Sequence, residues 1–418
     1  MGPLGHSVAA LSALLGAPLL GAAALARPRW RAGLGERLGA HPGAGASTPP
    51  IWVHGASVGE IRAALPLLDA LAARGHTVVA STMTVTGRAA LRAARPALAA
   101  GLAPLDHPWA VARALAHVRP RALVFVETEL WPSWVRAAHE RGIPSLVVSG
   151  RLSERSFARW QRVAGVLRPT LRRYAAIAAR SEDDAARFVA LGAPAARVGV
   201  GGDLKLDAKP PPAPAPELAA LLGDVPLVVA GSTHEGEEQA ALAALAAAQQ
   251  AGLPAALVLA PRHPERFARA AELVTAAGRP LRRRSAPGPG ALAAGEVLVL
   301  DTLGELASLY GRARVAFVGG TLAPVGGHNV LEPAQAGCPV LFGPELANAR
   351  ESAALLLAAD AAQRVPDAAG LATAVVAALA APAEAAARGA RGREALAAHR
   401  GASERGVALI ERVLAGAA

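Results

Sequence analysis

The chain of 418 residues is long enough for two α/β domains of about 200 residues each. Its one cysteine, Cys338, excludes an internal disulfide and a cysteine-ligated zinc site, and it fits a reducing cytoplasmic location. The net charge of +11 favours a polyanionic partner, and the lack of zinc-finger, basic-zipper and aromatic–basic motifs argues against nucleic acid and leaves an acidic membrane or a phosphorylated substrate.

The N-terminal segment, residues 1–26, is predicted to be a membrane anchor or an interfacial helix. Ser7–Ala26 is an uncharged run rich in leucine and alanine, near the length of about 20 residues that spans a bilayer. Arginines follow this run and none precedes it, which places the rest of the chain in the cytoplasm and disfavours a signal peptide. A buried core helix is the alternative, because Pro18 interrupts the run.

Residues 27–207 are predicted to form a Rossmann-like, doubly wound domain, because short apolar runs alternate with helix-like stretches. A parallel sheet of this kind binds ligands beyond the carboxyl ends of its strands. The predicted strands are Ile51–Val53, Thr77–Ala80, Ala122–Val126 and Ser145–Val148, and the predicted helices are Glu60–Ala73, Gly87–Ala94, Ala110–Val118 and Ser133–Arg141.

Residues 208–216 are predicted to be a linker, because their prolines keep the backbone extended. Residues 217–418 then repeat the alternation and are predicted to form a second Rossmann-like domain. Two such domains with a cleft between them form the α/β arrangement called GT-B. The predicted strands of the second domain are Leu227–Ala230, Ala256–Leu259, Val297–Leu300, Val315–Val318 and Val340–Phe342.

Glu60 is the first candidate for catalysis. It follows the first predicted strand in the sequence HGASVGE, residues 54–60, where glycines allow a sharp turn and the carboxylate opens a helix. A carboxylate in this position can act as a general base. It can equally well only cap the helix and interact with the helix dipole, and position in the chain favours neither interpretation.

A second acidic cluster, the sequence ETE at residues 127–129, follows the predicted strand Ala122–Val126. Two carboxylates at the end of an apolar strand are costly to bury, so at least one is expected to pair with a cation. Arg151 and Lys205 lie in similar loops and can supply that charge. A purely structural ion pair is the alternative.

The clearest signal in the second half is GGT at residues 319–321, followed by GGHNVLEP at residues 326–333. A glycine-rich turn before a helix presents free backbone N–H groups to a phosphate. Glu332 can bridge vicinal ribose hydroxyls, and Arg262 adds a cation at the end of a strand. These features, with DTLGEL at residues 301–306, indicate a nucleotide-sugar site.

The motifs together resemble those of the 3-deoxy-D-manno-octulosonic acid (Kdo) transferases from about Arg27 to Arg350. They are HGASVGE, ETELWP, SGRLSERS, GDLKLD, GSTHEGEE, PRHPERF, DTLGELASLYGRA and GGHNVLEP, in family order. The resemblance implies transfer of Kdo from CMP-Kdo to the 6′-hydroxyl of the lipid A precursor lipid IVA, in lipopolysaccharide biosynthesis. It also implies an inverting GT-B mechanism without cofactor or essential metal, at the cytoplasmic face of the cell inner membrane.

The resemblance also assigns site residues. Glu60 matches the general base of the family, and Glu129 and Lys205 match positions that support the transition state. The implied partners are CMP-Kdo, the lipid A precursor and the anionic inner membrane, with no nucleic acid. The positions that match CMP-binding residues are Arg262, His263, Leu303, Gly304, Glu305, Asn329, Val330, Leu331 and Glu332.

Two other functions stay open at this point. One is another GT-B enzyme, such as a UDP-sugar transferase or a nucleotide-sugar epimerase, which CMP and UDP binding would separate. The other is a noncatalytic membrane scaffold, against which the joint presence of Glu60, Glu129 and Lys205 argues. Gly55 departs from the family pattern, as do the pairs at 149–150 and 202–203, which leaves fine specificity open. The number of Kdo additions is also open, because members that add different numbers would share these motifs.

Overall fold

The structure, a computed structural model, describes residues 33–43, 45, 47–127 and 130–416. The predicted N-terminal anchor, residues 1–26, and Glu129 lie outside the described residues. The chain divides into two compact units. Unit 1 combines the chain up to Ala208 with His399–Ala418, and unit 2 is Lys209–Ala398.

Unit 1 is built around a seven-stranded parallel sheet with the order β3-β2-β1-β4-β5-β6-β7. Apolar side chains on both faces of the sheet pack against helices. The strands are β1 (Ile51–His54), β2 (Val78–Thr82), β3 (Ala99–Leu102), β4 (Ala122–Val126), β5 (Ser145–Gly150), β6 (Ala176–Ala179) and β7 (Val198–Val200). The helices are α1 (Leu34–Arg37), α2 (Val58–Ala73), α3 (Val85–Ala94), α4 (Pro108–Val118), α5 (Pro132–His139), α6 (Glu154–Gln161), α7 (Ala164–Leu171) and α8 (Glu182–Leu191).

The four strands and four helices predicted for the first domain are confirmed, with ends that differ by a few residues. Strands β3, β6 and β7 are not among the strands predicted from the sequence. The sequences of β3 and β6 are AAGL and AIAA, and alanine and glycine have little intrinsic preference for strands. Pairing with buried neighbours in the sheet, which sequence periodicity does not show, decides their conformation.

Unit 2 repeats this architecture with the strand order β10-β11-β9-β8-β12-β13-β14, again all parallel. Its five predicted strands are confirmed, and β10 and β14 are additional edge strands. The strands are β8 (Leu227–Thr233), β9 (Ala256–Pro261), β10 (Leu281–Arg283), β11 (Val297–Val299), β12 (Ala313–Val318), β13 (Val340–Phe342) and β14 (Ala362–Arg364). The helices are α9 (Pro216–Leu222), α10 (Glu237–Gln250), α11 (Phe267–Ala276), α12 (Leu306–Leu309), α13 (Leu331–Gln335), α14 (Arg350–Ala358), α15 (Ala368–Ala380) and α16 (Pro382–Ala398).

The last helix, α17 (Ala402–Leu414), differs from the predicted domain division. Residues 217–418 are predicted to form one domain, but α17 packs on α2 of unit 1, where Val407 and Ile410 are fully buried. The carboxylate of Asp207 accepts the backbone N–H of Gly401 (2.7 Å) at the start of this helix. Helical periodicity alone does not reveal which of the two cores receives α17.

Within the described ranges, no single helix combines the length and the hydropathy needed to cross a membrane. The pair formed by Ala368–Ala380 and Pro382–Leu414 passes that test only when taken together, and it is bent by 105°.

Candidate functional site

The first candidate site lies where the strand order of unit 1 reverses. β1 and β4 are neighbours, but the chain continues from β1 to β2 on one side and from β4 to β5 on the other. Parallel sheets bind ligands at such switch points, beyond the carboxyl ends of the strands. Glu60 comes from the segment after β1, and Glu127 directly follows β4. This topology brings the two carboxylates to one place.

Glu60 belongs to the first turn of α2, which Ser57 caps. The Ser57 hydroxyl accepts the Glu60 N–H (3.2 Å), and the Glu60 carboxylate accepts the Ser57 O–H (2.9 Å) and the Ala56 N–H (2.6 Å). This reciprocal pattern resembles a capping box, except that the carboxylate accepts the N–H of the residue before the cap. Burial and the charge of Glu127 raise the pKa of Glu60, although these hydrogen bonds and Lys205 oppose the shift. A raised pKa makes the carboxylate a better proton acceptor near neutral pH.

Glu127 combines an unusual backbone conformation with an ion pair. Its φ of 62° lies in the left-handed region, which residues other than glycine rarely adopt. Its Oε1 atom lies 2.6 Å from Lys205 Nζ, and its side chain is only 13% exposed. Because both Glu127 and Lys205 affect the pKa of Glu60, the three side chains form one electrostatically coupled group.

The backbone around Lys205 is fixed by two side chains. The Asp203 carboxylate accepts the Lys205 N–H (2.9 Å), and the Ser149 hydroxyl at the end of β5 accepts the Leu204 N–H (3.1 Å). These contacts hold Lys205 in a short 3₁₀ helix beside the ends of β4 and β5. The position of the cation is therefore set by loop geometry.

The structure confirms that a carboxylate of residues 127–129 pairs with a cation, and it identifies the pair as Glu127 and Lys205. Glu127 belongs to the predicted acidic cluster but is not among the predicted site residues. Its place directly after β4 is the signal that points to it. Glu129 lies outside the described residues, so its role stays a prediction.

The second candidate site lies at the corresponding switch point of unit 2, between β8 and β12. Here Glu237, the first residue of α10, is only 1% exposed and accepts five backbone N–H groups at 2.7–3.2 Å. One donor is His234, and the other four are the residues 320–323 of the turn after β12. The prediction that this glycine-rich turn presents free N–H groups to a phosphate is therefore wrong for these four residues.

Three histidines gather beside this turn. The His234 ring stacks on the His328 ring, with centroids 5.0 Å apart and Nε2 atoms separated by 2.7 Å, and it meets the His263 ring edge-on at 5.5 Å. Burial, together with the charges of Arg262 and His234, lowers the pKa of His328 to about 4. Burial also lowers the pKa of His234. Both rings are therefore neutral at pH 7, and one can donate to the other.

The segment of Asn329 and Glu332 follows directly. Asn329 Oδ1 accepts the Leu331 N–H (3.0 Å), and Asn329 Nδ2 donates to Glu332 Oε1 (3.1 Å). Val330 and Leu331 are buried, so they anchor the segment to the core of unit 2. The buried Val330 and Leu331 thus position the polar side chains on either side of them.

Leu303, Gly304 and Glu305 lie in the loop after β11. Leu303 is 75% exposed, and Gly304 has a φ of 91°, which allows the tight turn. Burial raises the pKa of Glu305, but hydrogen bonds from Arg284 (2.8 Å) and Thr302 outweigh it and leave that pKa below its ordinary value. Glu305 is therefore a carboxylate at neutral pH, fixed by a guanidinium.

The sequence matches known proteins over most of its length. A family model described as "3-Deoxy-D-manno-octulosonic-acid transferase (kdotransferase)" matches residues 32–208. The chain is 38% identical over 388 residues to the 3-deoxy-D-manno-octulosonic acid transferase of Bordetella pertussis, an alignment that covers 88% of this chain and 89% of that protein. The chain belongs to the Kdo transferase family. The enzyme of the same name from Haemophilus influenzae is 33% identical to it over 342 residues, covering 79% of each chain.

The fold of this Kdo transferase also has relatives among solved structures. A putative UDP-N-acetylglucosamine 2-epimerase from Listeria monocytogenes is similar to it with a TM-score of 0.61, over 88% of this chain and 98% of that one. The two are 13% identical, so the likeness shows the fold alone. It confirms the predicted GT-B arrangement of two parallel α/β domains.

The structure brings some of the predicted donor-binding residues of this Kdo transferase together in two groups. Burial and the charges of Arg262 and His263 lower the pKa of His328, the His263 ring contacts that of His234, and Asn329 contacts Glu332. Among the residues that the structure describes, no group of three or more histidine, cysteine or acidic side chains is arranged to hold a metal ion. The prediction of a metal-independent reaction stays a prediction.

Proposed function

We propose that this Kdo transferase moves Kdo from CMP-Kdo to the 6′-hydroxyl of the lipid A precursor lipid IVA, in lipopolysaccharide biosynthesis. Membership of the family supports Kdo as the transferred sugar. The observation that carries the proposal is the Glu60 carboxylate at the switch point of unit 1, with a raised pKa and with the Glu127–Lys205 pair beside it. A general base in a polar, partly buried site is what hydroxyl attack requires.

In the proposed reaction Glu60 takes the proton of the acceptor hydroxyl while its oxygen attacks the anomeric carbon of Kdo. The new C–O bond forms as the bond from that carbon to the phosphate oxygen breaks, and CMP leaves with the bonding electron pair. Attack opposite the leaving group inverts the anomeric configuration. Lys205 offsets negative charge in the transition state, and Glu129 is proposed to support the same step.

We assign donor binding to unit 2. Arg262 and His263 are exposed at the end of β9, where they can contact a phosphate. Leu303 presents an apolar surface beside Gly304 and Glu305, and Asn329 and Glu332 present polar groups, held by Val330 and Leu331, that suit ribose hydroxyls. The leaving group is a monophosphate, so no divalent ion is needed to bridge two phosphates, and no cofactor is proposed.

We place the reaction at the cytoplasmic face of the cell inner membrane, where a lipid acceptor resides. Residues 155–173 contain six arginines and no carboxylate. Arg159 and Arg162 are exposed on α6 and the turn after it, and Val163 and Val166 are 48% and 74% exposed beside them. Cations next to exposed apolar side chains favour an anionic bilayer surface.

A transfer assay tests the proposed function. Purified full-length protein is incubated with CMP-Kdo, prepared beforehand, and tetraacylated lipid IVA, in parallel reactions with and without EDTA, and the lipid is analysed by mass spectrometry. Mass increments of Kdo are expected, and their number counts the additions. Binding of CMP without any increment would exclude this acceptor, and tighter binding of UDP than of CMP would exclude the donor.

Vesicle binding tests the membrane proposal separately. The full chain should sediment with phosphatidylglycerol vesicles more than with phosphatidylcholine vesicles, and the difference should shrink as salt is added. Arg159→Glu/Arg162→Glu should reduce this difference. The matched control, Arg269→Glu/Arg364→Glu, changes the charge equally at exposed sites in unit 2 and should leave binding unchanged. Equal loss in both variants would show that only net charge matters.

A further inference from the structure

Glu237 makes more hydrogen bonds than a helix-capping carboxylate needs. Oε1 accepts the N–H groups of Thr321 (3.0 Å), Leu322 (2.9 Å) and Ala323 (3.2 Å). Oε2 accepts those of His234 (2.8 Å) and Gly320 (2.7 Å). A buried charge is tolerated only when such donors compensate its lost hydration. The carboxylate therefore fills an anion-binding nest formed by the backbone of its own chain.

The turn at residues 319–323 is shaped around this carboxylate. A Cβ atom at Gly319 would lie 2.4 Å from the Ser232 carbonyl oxygen and 2.8 Å from Glu237 Oε2, so only glycine fits there. Gly320 has a φ of 68°, which turns its N–H toward the carboxylate. Close approach of backbone to carboxylate thus requires both glycines of the pair. The turn and Glu237 form one rigid unit.

This unit in turn places the residues of the donor site. The Gly320 carbonyl accepts the Gly327 N–H (2.7 Å), which fixes the chain immediately before His328. The His328 ring lies against Gly320, where a Cβ atom would come within 3.0 Å of it. Glu237 also holds the backbone of His234, whose ring contacts His328. One carboxylate therefore holds both members of the histidine pair.

We propose that Glu237 is a positioning residue for the donor site: its carboxylate holds the turn at residues 319–323 in the shape that places His328 and the following Asn329–Glu332 segment for the nucleotide. The proposal rests on the proposed function for the identity of the nucleotide. Since Glu237 occupies the nest, the donor phosphate is bound outside it, on the side of Arg262. Glu237 itself contacts no reacting atom.

Glu237→Gln tests this proposal, because a glutamine amide replaces one acceptor oxygen by a donor that opposes backbone N–H groups. The affinity for CMP should fall at least about tenfold, since several charge-assisted hydrogen bonds are lost. The KM for CMP-Kdo should rise similarly, while kcat at saturating donor should stay within about threefold of the wild type. Unchanged CMP affinity and KM in a folded variant would overturn the proposal.

Glu238→Gln is the matched control. Glu238 is the next residue of α10 and is equally buried, but its partners are Arg266 (3.0 Å) and Thr233 (3.1 Å), not the turn. It should alter CMP affinity less than about threefold. An equal loss of affinity in both variants would assign the effect to the general stability of α10 and would also overturn the proposal.

A readout without nucleotide separates this proposal from the proposed function. Hydrogen exchange of the backbone N–H groups of residues 320–323, which donate to the Glu237 carboxylate, can be followed in the free protein. In Glu237→Gln this exchange should accelerate at fixed pH as the turn loosens, and in Glu238→Gln it should stay within about threefold of the wild type. If the wild type fails to bind CMP but this acceleration is seen, the proposed function fails while the positioning by Glu237 stands. Glu237→Ala should regain slow exchange in the presence of formate, which can enter the nest, and the absence of both acceleration and recovery would reject the proposal.

Discussion

Glu60 and Glu237 occupy corresponding places in the two units, yet their surroundings differ. Each lies near the start of the helix that follows the central strand at the switch point, α2 after β1 and α10 after β8. Glu60 accepts hydrogen bonds from one backbone N–H and one hydroxyl, and it has a raised pKa. Glu237 accepts five backbone N–H groups. One topological position thus provides a candidate base in unit 1 and a structural anion in unit 2.

The difference shows that donor number, rather than position, decides what such a carboxylate can do. Five donors satisfy the lone pairs of Glu237 and fix its carboxylate in place, so its oxygens are occupied in holding the turn. The oxygens of Glu60 have fewer donors, and the nearby negative charge of Glu127 favours its protonated form. Glu60 can therefore gain and release a proton without loss of the surrounding structure.

The largest effect is expected for Glu60→Gln. If Glu60 is the general base, the transfer rate should fall by about 10²–10⁴-fold, while the affinity for CMP stays unchanged. Because the raised pKa means that ionised Glu60 costs stability, neutral glutamine should leave unit 1 at least as stable at pH 7, and this advantage should vanish below the ordinary glutamate pKa of 4.5. Rate measurements and thermal unfolding from pH 4 to 8 test both points. Substantial transfer by the variant would rule out Glu60 as the base.

Lys205→Met and Glu127→Gln should shift the pH–rate profile in opposite directions. The charge of Lys205 lowers the pKa of Glu60 and that of Glu127 raises it. The acidic limb of the profile should therefore move up in the first variant and down in the second, by about one pH unit. The double variant should return the midpoint toward that of the wild type. Shifts of the same sign in both variants would show that Lys205 and Glu127 do not act through the pKa of Glu60.

The histidine pair should make unit 2 sensitive to acid. Because the folded pKa of His328 is about 4 rather than 6.5, protons bind more readily to the unfolded chain between these values. Stability is therefore complete above pH 6.5 and declines as the pH falls toward 4. The hydrogen-exchange protection factors of β8 and β12, which are corrected for the pH dependence of intrinsic exchange, should fall over this range, and His328→Gln should reduce the dependence. If the variant loses stability over the same pH range as the wild type, titratable groups other than His328 cause the loss.

Ser57→Ala should have the smallest effect. Loss of the helix cap is expected to cost about 1 kcal/mol of stability in unit 1. The Ser57 hydroxyl also donates to Glu60, so its removal should raise the pKa of Glu60 slightly further and move the acidic limb of the pH–rate profile upward. Denaturant unfolding and rates across pH measure the two effects. Ser57→Thr, which keeps the hydroxyl, should restore both.

The amino-acid sequence by itself determined the repeated α/β pattern and the family. Apolar runs as clear as Ala122–Val126 and Val340–Phe342 predicted their strands residue for residue, because buried parallel strands are continuously apolar. Placing Glu60 after the first strand also followed from the sequence, since glycines mark the turn that precedes it. These features are local, so the order of residues specifies them.

Only the tertiary structure decided which groups meet. Glu127 pairs with Lys205 across 78 positions of the chain because β4 and the 3₁₀ helix lie at the same edge of the sheet. Glu237 accepts hydrogen bonds from a turn more than 80 residues away, so the N–H groups that the glycine pattern predicts to be free are already bound. The helix α17 joins unit 1 because its apolar residues are buried in the core of that unit. Burial and hydrogen bonding depend on neighbours in space, and local periodicity carries no information about them.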